Sequence, residues 1–285
     1  MGRWERSWSI TRTSFDVLRK DSEMIWFPIL SGIFSILFAV ALIVPSFVLD
    51  VFESMGVGRQ AVGPIQVVVL FVTYFGLSTI ATFFNVCVVY TTRVRLSGGD
   101  ATFMDSIRFA FSRMGLIVGW SLISATVGIV LHGIDSMGRR SGLPGKVLLW
   151  ILRTILAAAW SVMTVFVVPS MVYRDLGPID AIKDSWNTLR QTWGEGIIGY
   201  WGVGLAGFVC ALPGMALIGL GIGAAGSIPA VGLGMIGLGV LEIAAVALVF
   251  GVVSTIYKTA LYHWATTQVV PAGYDPHAMQ SAFRR

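Results

Sequence analysis

Two charged residues, Glu242 and Arg153, interrupt long uncharged stretches and are the strongest candidates for chemistry in this sequence. If those stretches cross a bilayer, a charge at its centre costs about 2.5–3.5 kcal/mol, so such charges are usually paired or functional. Counted from Lys258 and Arg174 at the inner boundary, the two residues lie about 24 and 31 Å deep. A long arginine side chain can bridge that difference. The spacing predicts a Glu242–Arg153 pair, which is either a structural ion pair or a polar site between helices.

Glycine is the second candidate feature, because fifteen of the 33 glycines fall between residues 194 and 239. Three Gly-x-Gly-x-x-Gly matches occur there, but dinucleotide binding needs a preceding strand and an acidic residue about 20 positions on. The matches lie instead in an apolar, nearly uncharged region. Gly219 and Gly223 have the GxxxG spacing that allows close helix approach, which predicts helix packing; a re-entrant pore element is the alternative.

No catalytic or metal-binding constellation is visible in the sequence. His132, His263 and His277 are far apart and lack ligand-like spacing. No serine, threonine or cysteine nucleophile is flanked by a base, and no motif indicates a cofactor. We therefore expect a protein that is not an enzyme and has no metal, cofactor or nucleic-acid partner.

The elements that hold these residues are membrane spans. Hydrophobic residues make up 55% of the chain and charged residues 12%, about half the usual charged fraction of a soluble domain. A helix needs about 20 apolar residues to cross the hydrocarbon. Six spans are predicted, near 24–49, 65–91, 115–132, 147–173, 196–226 and 229–260. Four spans plus a re-entrant hairpin are the main alternative for the last region.

Lysine and arginine residues predict the orientation. With the N-terminus inside, fifteen of them lie in cytoplasmic segments and four in outer loops, while Arg153 lies within a span. This bias predicts a multi-pass protein of the cell (plasma or inner) membrane with both termini in the cytoplasm.

Two polar segments next to spans have the periodicity of amphipathic helices. Residues 3–20 carry Trp4, Trp8 and Phe15 on one face, and residues 178–193 carry Trp186 and Trp193. Tryptophan and basic residues favour the water–lipid boundary. We expect both helices to lie on the cytoplasmic leaflet, with anionic lipid head groups as their partners.

The same arrangement recurs along the chain. An amphipathic segment precedes the first, third and fifth spans, which predicts three repeats of an interfacial helix plus a transmembrane hairpin. These units cover 1–95, 96–175 and 176–262 of a single membrane domain, with a short cytoplasmic tail at 263–285. Ser7-Trp8 aligns with Ser185-Trp186 at an offset of 178.

Several segments resemble a family of uncharacterised prokaryotic six-helix membrane proteins. The resemblance is carried by AWSVMTVFVVPSMVYRDLGPIDAIKDSWNTLRQTWGE, by WSLISATVGIVL and by the N-terminal SWSITRTSFDVLRKDSEMIWFPILSG. It implies the six-helix architecture and leaves the activity open. GPIDAIKDSW is more distantly similar to a segment of the membrane domains attached to some glycerophosphodiester phosphodiesterases.

Two functions fit these features. The sequence favours a non-enzymatic membrane scaffold or interaction protein that packs against lipids or other membrane proteins. The alternative is a transporter or lipid-handling protein with a polar site near Glu242 and Arg153. A membrane-protein partner and a second copy of the chain both stay open.

Overall fold

The computed structural model describes the backbone of residues 3–54, 62–140, 142–191, 195–271 and 274, and the side chains of 11–42, 67–139, 142–190, 202–271 and 274. Within those ranges the chain forms helices and no strand, which confirms the all-α prediction. The helices are α1 (Arg3–Lys20), a 3-10 turn (Ser22–Ile25), α2 (Trp26–Ser54), α3 (Val62–Leu96), α4 (Phe103–Ser112), α5 (Met114–Arg140), α6 (Leu143–Met163), α7 (Val167–Arg174), α8 (Pro178–Gln191), α9 (Glu195–Ala225) and α10 (Pro229–Thr267).

Six helical stretches of the described chain are long and apolar enough to cross a membrane, as predicted. They are Ser22–Leu42, Val67–Leu96, Met114–Arg139, Leu143–Arg174, Gly202–Ala225 and Pro229–Thr267. The last two belong to α9 and α10, of 31 and 39 residues, which form an antiparallel hairpin. Each exceeds the ~20 residues of a full crossing, so the structure has six candidate spans rather than four with a re-entrant segment. The protein is a multi-pass membrane protein.

Local sequence signals account for the helix boundaries. Thr102 and Asp105 form a capping box at α4, since the Asp105 amide donates to Thr102 Oγ1 and the Thr102 amide donates to Asp105 Oδ2, each at 3.2 Å. Gly98, with a φ of 81°, follows the end of α3. Pro178 begins α8, where its missing N–H costs nothing.

The fourth span differs from the single helix predicted over 147–173. It breaks at 164–166 into α6 and the eight-residue α7. Pro169 explains the break, because its ring excludes an uninterrupted helix through the carbonyl of Val165 four residues earlier. The same proline is tolerated in the first turn of α7, where its missing N–H would have no partner within the helix.

The chain divides into two compact units. One contains 1–26, 91–101 and 190–285, and the other contains 27–90 and 102–189. In the first unit, α1 packs against both α9 and α10. Phe15 of α1 meets the Phe250 ring of α10 edge-on, with the centroids 5.5 Å apart.

The second unit is held by aromatic contacts between its helices. Phe34 of α2 stacks on Phe84 of α3, and Trp120 of α5 stacks on Trp160 of α6 at 5.7 Å. Phe27 of α2 stacks on Phe103 of α4 at 4.8 Å. The interfaces therefore depend on large flat side chains, which gain dispersion energy without needing polar partners.

Candidate functional site

Four glycines bring α9 and α10 into backbone contact, and we call them the glycine seam: Gly214 and Gly221 of α9, and Gly232 and Gly239 of α10. A Cβ at Gly214 would lie 2.8 Å from the Gly239 carbonyl oxygen, and a Cβ at Gly239 would lie 2.5 Å from the Gly214 carbonyl oxygen. Gly221 and Gly232 meet in the same reciprocal way, at 2.8 and 2.7 Å. No side chain fits at these points.

The seam has a seven-residue repeat. Gly207, Gly214 and Gly221 are seven apart on α9, and so are Gly232 and Gly239 on α10. A repeat of seven keeps one face of a helix on its partner along the whole contact, as in coiled coils. Small residues at these positions let the helix backbones approach closely.

Gly219 and Gly223, for which a packing role is predicted, make no close helix contact within the described part of the chain, so that role stays a prediction. A Cβ at either position would meet no atom within 4 Å, and both residues are exposed. The GxxxG spacing places both glycines on one face of the helix, but it does not show that this face packs against another helix. In this hairpin the glycines spaced by seven make the contact.

Glu242 sits at the seam. Its Oε2 atom lies where a Cβ of Gly214 would be, so the carboxyl fills the notch that the glycine leaves open. That oxygen is buried and has no hydrogen-bond partner among the residues that the structure describes. A polar atom buried in this way costs about 1–3 kcal/mol.

Arg153 has a counter-charge within its own unit. Its Nε atom lies 3.2 Å from Asp135 Oδ2, outside hydrogen-bond geometry, which joins α6 to α5 across their hairpin. Both side chains are partly exposed. Glu242 belongs to the other unit. The pairing of Glu242 with Arg153 stays a prediction, but Arg153 does not require it for charge neutralisation.

Helix ends in the first unit are tied by an ion pair that the sequence analysis missed. Arg95, in the last turn of α3, donates from Nε to Asp21 Oδ2 at 2.5 Å and from Nη2 to Asp21 Oδ1. Its Nη2 also lies 2.7 Å from Asp100 Oδ1. Asp21 is only 9% exposed. A bidentate pair of this kind fixes both position and orientation.

Two further ion pairs organise the second unit around α7 and α8. Arg113 donates to Asp175 Oδ2 at 2.6 Å, just after α7. Asp184 of α8 accepts from Arg174 at 2.6 Å and from Ser170 Oγ at 2.7 Å. Asp184 therefore holds α7 and α8 together.

Buried serines tie two of the polar helices to the preceding spans. The Phe166 amide donates to Ser185 Oγ at 3.0 Å, and the Cys87 thiol donates to the Ser106 carbonyl at 3.6 Å. Both pairs are related by an offset of 79 residues. The sequence signal for this offset is the Asp-Ser dipeptide, at 105–106 and again at 184–185.

The predicted interfacial anchors have different environments. Phe15 packs on Phe250 and Trp186 is half-buried, whereas the side chains of Trp4, Trp8 and Trp193 lie outside the described residues. Trp4 and Trp8 do fall within α1. The anchoring role of all five stays a prediction.

The chain after α10 returns to α1. Tyr274 is buried, and its hydroxyl lies 3.1 Å from the buried Ser14 Oγ. Burial raises the pKa of Tyr274 above its ordinary value, and the Ser14 hydrogen bond offsets part of that rise. Near neutral pH this contact therefore ties the segment after α10 to α1 through a neutral phenol.

Metal and thiol chemistry have little geometric support in the described part of the chain. It contains no group of three histidine, cysteine, aspartate or glutamate side chains that could hold a metal ion. Cys87 and Cys210 are free thiols, one buried and one exposed. Among the described residues, Glu242 in its notch is therefore the strongest candidate for a functional group.

Comparison with known proteins gives a family but no activity. A model described as a family of unknown function, DUF6159, matches residues 64–271, more than two thirds of the chain. No curated protein matches the sequence. The more distant similarity to membrane domains of glycerophosphodiester phosphodiesterases gains no support from the family match. The chain belongs to the DUF6159 family of unknown function.

Proposed function

We propose that this protein is a non-enzymatic membrane scaffold, whose polar helices lie in the lipid interface while ion pairs fix the ends of its spans. The observation that carries the proposal is the packing of α8. Its buried residues are small, polar or at the helix end: Ala181, Ser185, Thr188 and Leu189. Its stripe of large apolar side chains points elsewhere, since Ile179 is 64% exposed and Ile182 and Trp186 are half-buried.

This division of faces supports an interfacial role. A helix whose large apolar residues served the core would bury them, whereas α8 buries its small face and leaves Ile179 exposed and Ile182 and Trp186 only partly covered. In a membrane protein, lipid is the partner that such a face fits. The ion pairs of Asp184 and Arg113 account for the charges nearby as structural links.

The charges of α1 and α8 also predict that these two helices differ in their attraction to anionic lipid. In α8, Asp180 and Lys183 pair at 3.0 Å and Asp184 binds Arg174, so little positive charge is left to attract anionic lipid. In the described part of α1, Arg12, Arg19 and Lys20 are exposed beside a single acidic side chain, Asp16. Near anionic lipid, each basic residue contributes about 1 kcal/mol. We therefore assign the preference for anionic head groups to α1.

An environment-sensitive label should report lipid at position 179. In full-length protein with Cys87 and Cys210 replaced, Ile179→Cys carries a nitrobenzoxadiazole label, and the protein is reconstituted in lipid nanodiscs. We expect blue-shifted emission that brominated lipid quenches, because the stripe faces the acyl chains. Asn187→Cys, on the exposed polar face of the same helix, is the matched control and should report water. Water-like emission from both labels would refute the interfacial position of α8.

Orientation is the second test of the scaffold. With both termini in the cytoplasm, single cysteines at 100, 180 and 280 should react only from the cytoplasmic side of intact cells. Single cysteines at 60, 140 and 228 should react with an impermeant maleimide from outside. The charge distribution of fifteen against four is the physical reason. Labelling of residue 228 from the cytoplasm would reject this topology.

A transporter or lipid-handling protein is the second candidate, and one observation favours it. Glu242 Oε2 is buried without a hydrogen-bond partner in the described part of the chain, within a hairpin of two candidate spans. Ionisable groups inside membranes often mark ion or proton paths. A scaffold gives no reason for this carboxyl, whereas a transport function does.

A further inference from the structure

In the described part of its own unit, the carboxyl of Glu242 is held by shape, since its Oε2 atom is buried without a hydrogen-bond partner there. Its Oε2 atom occupies the notch at Gly214 where a Cβ would be, and the Gly239 carbonyl oxygen lies 2.8 Å from that Cβ position. Two oxygens thus converge where α9 and α10 touch. The flanking Ile243 side chain is 2.8 Å from that point and closes the notch with an apolar group.

Along α10 and the described part of α9, no charged side chain lies close to this notch. On α10 the next charged residue is Lys258, sixteen positions on and about 24 Å along the helix. The described part of α9, residues 202–225, has no charged side chain; its one titratable group is the exposed thiol of Cys210. On α1 the described charges are Arg12, Asp16, Arg19 and Lys20. The α1 contact Phe15–Phe250 lies eight residues, or about 12 Å, from Glu242.

An isolated carboxylate in an apolar setting is strongly disfavoured, and a bound proton removes the charge. We propose that the Glu242 carboxyl, seated against Gly214 in the α9–α10 hairpin, is an intramembrane proton-binding site. The proposal deepens the second candidate function and rests on it for its biological purpose, since a transporter driven by protons needs such a group. Proton binding itself can be tested without any flux measurement.

Dicyclohexylcarbodiimide is the probe, because it dissolves in the bilayer and reacts with protonated carboxylic acids. The acid O–H adds across a C=N bond: its oxygen bonds to the central carbon and its proton goes to nitrogen. The acyl group then moves from oxygen to nitrogen and gives a stable N-acylurea, with no leaving group. Full-length protein in nanodiscs should gain one carbodiimide on the peptide that contains Glu242, read by mass spectrometry. Labelling should slow as the pH rises, and Glu242→Gln should abolish it.

A matched pair of seam variants tests the role of the notch. Gly214→Ala puts a methyl group where the carboxyl lies, which must displace Glu242 from the notch. We expect the labelling rate at neutral pH to fall about tenfold, which corresponds to about 1.4 kcal/mol. Gly221→Ala strains the same seam, since its Cβ would be 2.8 Å from the Gly232 carbonyl oxygen, but it touches no carboxyl. That control should label like the parent protein.

Three results would overturn the proposal: no labelling of Glu242 at any pH, a labelling rate that does not depend on pH, or equal rates in the Gly214→Ala and Gly221→Ala proteins. Proton flux into proteoliposomes is measured separately. Labelling without flux keeps the proton site and removes the transport function. Flux without labelling of Glu242 keeps the function and removes the site.

Discussion

Gly239→Ala is expected to destabilise the protein by about 1–3 kcal/mol, the cost of overpacking a tight contact. The new Cβ would lie 2.5 Å from the Gly214 carbonyl oxygen, and backbone cannot move aside as a side chain can. Helix propensity acts in the opposite direction, because alanine exceeds glycine by about 1 kcal/mol in a helix interior. Destabilisation would therefore isolate the effect of the seam. Thermal unfolding in detergent should show a melting temperature lower by about 2–4 °C per kcal/mol.

Gly237→Ala is the matched control for this change. It lies on the same helix two residues earlier, and its Cβ would meet no atom within 4 Å. Only the propensity effect remains there, so the melting temperature should stay the same or rise. If Gly239→Ala melts at or above the parent temperature, α9 and α10 do not meet at this glycine.

The span count could be predicted from sequence because it depends on length and composition alone. Charge-free stretches near 20 residues leave few alternatives in a bilayer, and Pro178 and the Thr102–Asp105 pair mark helix starts by local chemistry. The break at 164–166 also had a visible cause in Pro169. It was missed because a proline near the end of a span is compatible with an unbroken helix too.

Contacts between helices were harder to predict, since they depend on which faces meet. Gly219 and Gly223 satisfied a packing motif on a face that has no contact within the described chain, while the spacing of seven in Gly214–Gly221 and in Gly232–Gly239 would have indicated the seam. Arg153 was matched to Glu242 by depth alone. In an antiparallel hairpin that turns near residue 142, however, Asp135 lies almost opposite Arg153, so this counter-charge could be found by counting from the turn.

Ion pairs at helix ends were the least accessible from sequence. Asp21 and Arg95 are 74 residues apart, and each lies beside charges of both signs. Surface pairs contribute little, so charge counts gave no reason to choose one partner. The geometry distinguishes them, because Asp21 is almost completely buried and bound by two guanidinium nitrogens.

Asp21→Asn should consequently lower stability far more than loss of an exposed acid. A fully buried pair that loses one partner costs about 3–5 kcal/mol. Arg95 is 26% exposed and keeps Asp100 as a neighbour, so a smaller loss, about 1–3 kcal/mol, is expected here. Asp180→Asn is the matched control, because its pair with Lys183 is 64–69% exposed and should contribute about 0.2–1 kcal/mol at most.

A double-mutant cycle with Arg95→Gln identifies the cause of the Asp21 effect. If Asp21 acts through Arg95, the double variant should recover part of the loss, because it removes the guanidinium left without its main partner. The measurement is the melting temperature of all four proteins in one detergent and one buffer. Strictly additive losses would show that the two residues stabilise the protein independently. An Asp21→Asn effect no larger than that of Asp180→Asn would show that the Asp21–Arg95 pair does not hold the end of α3 in place.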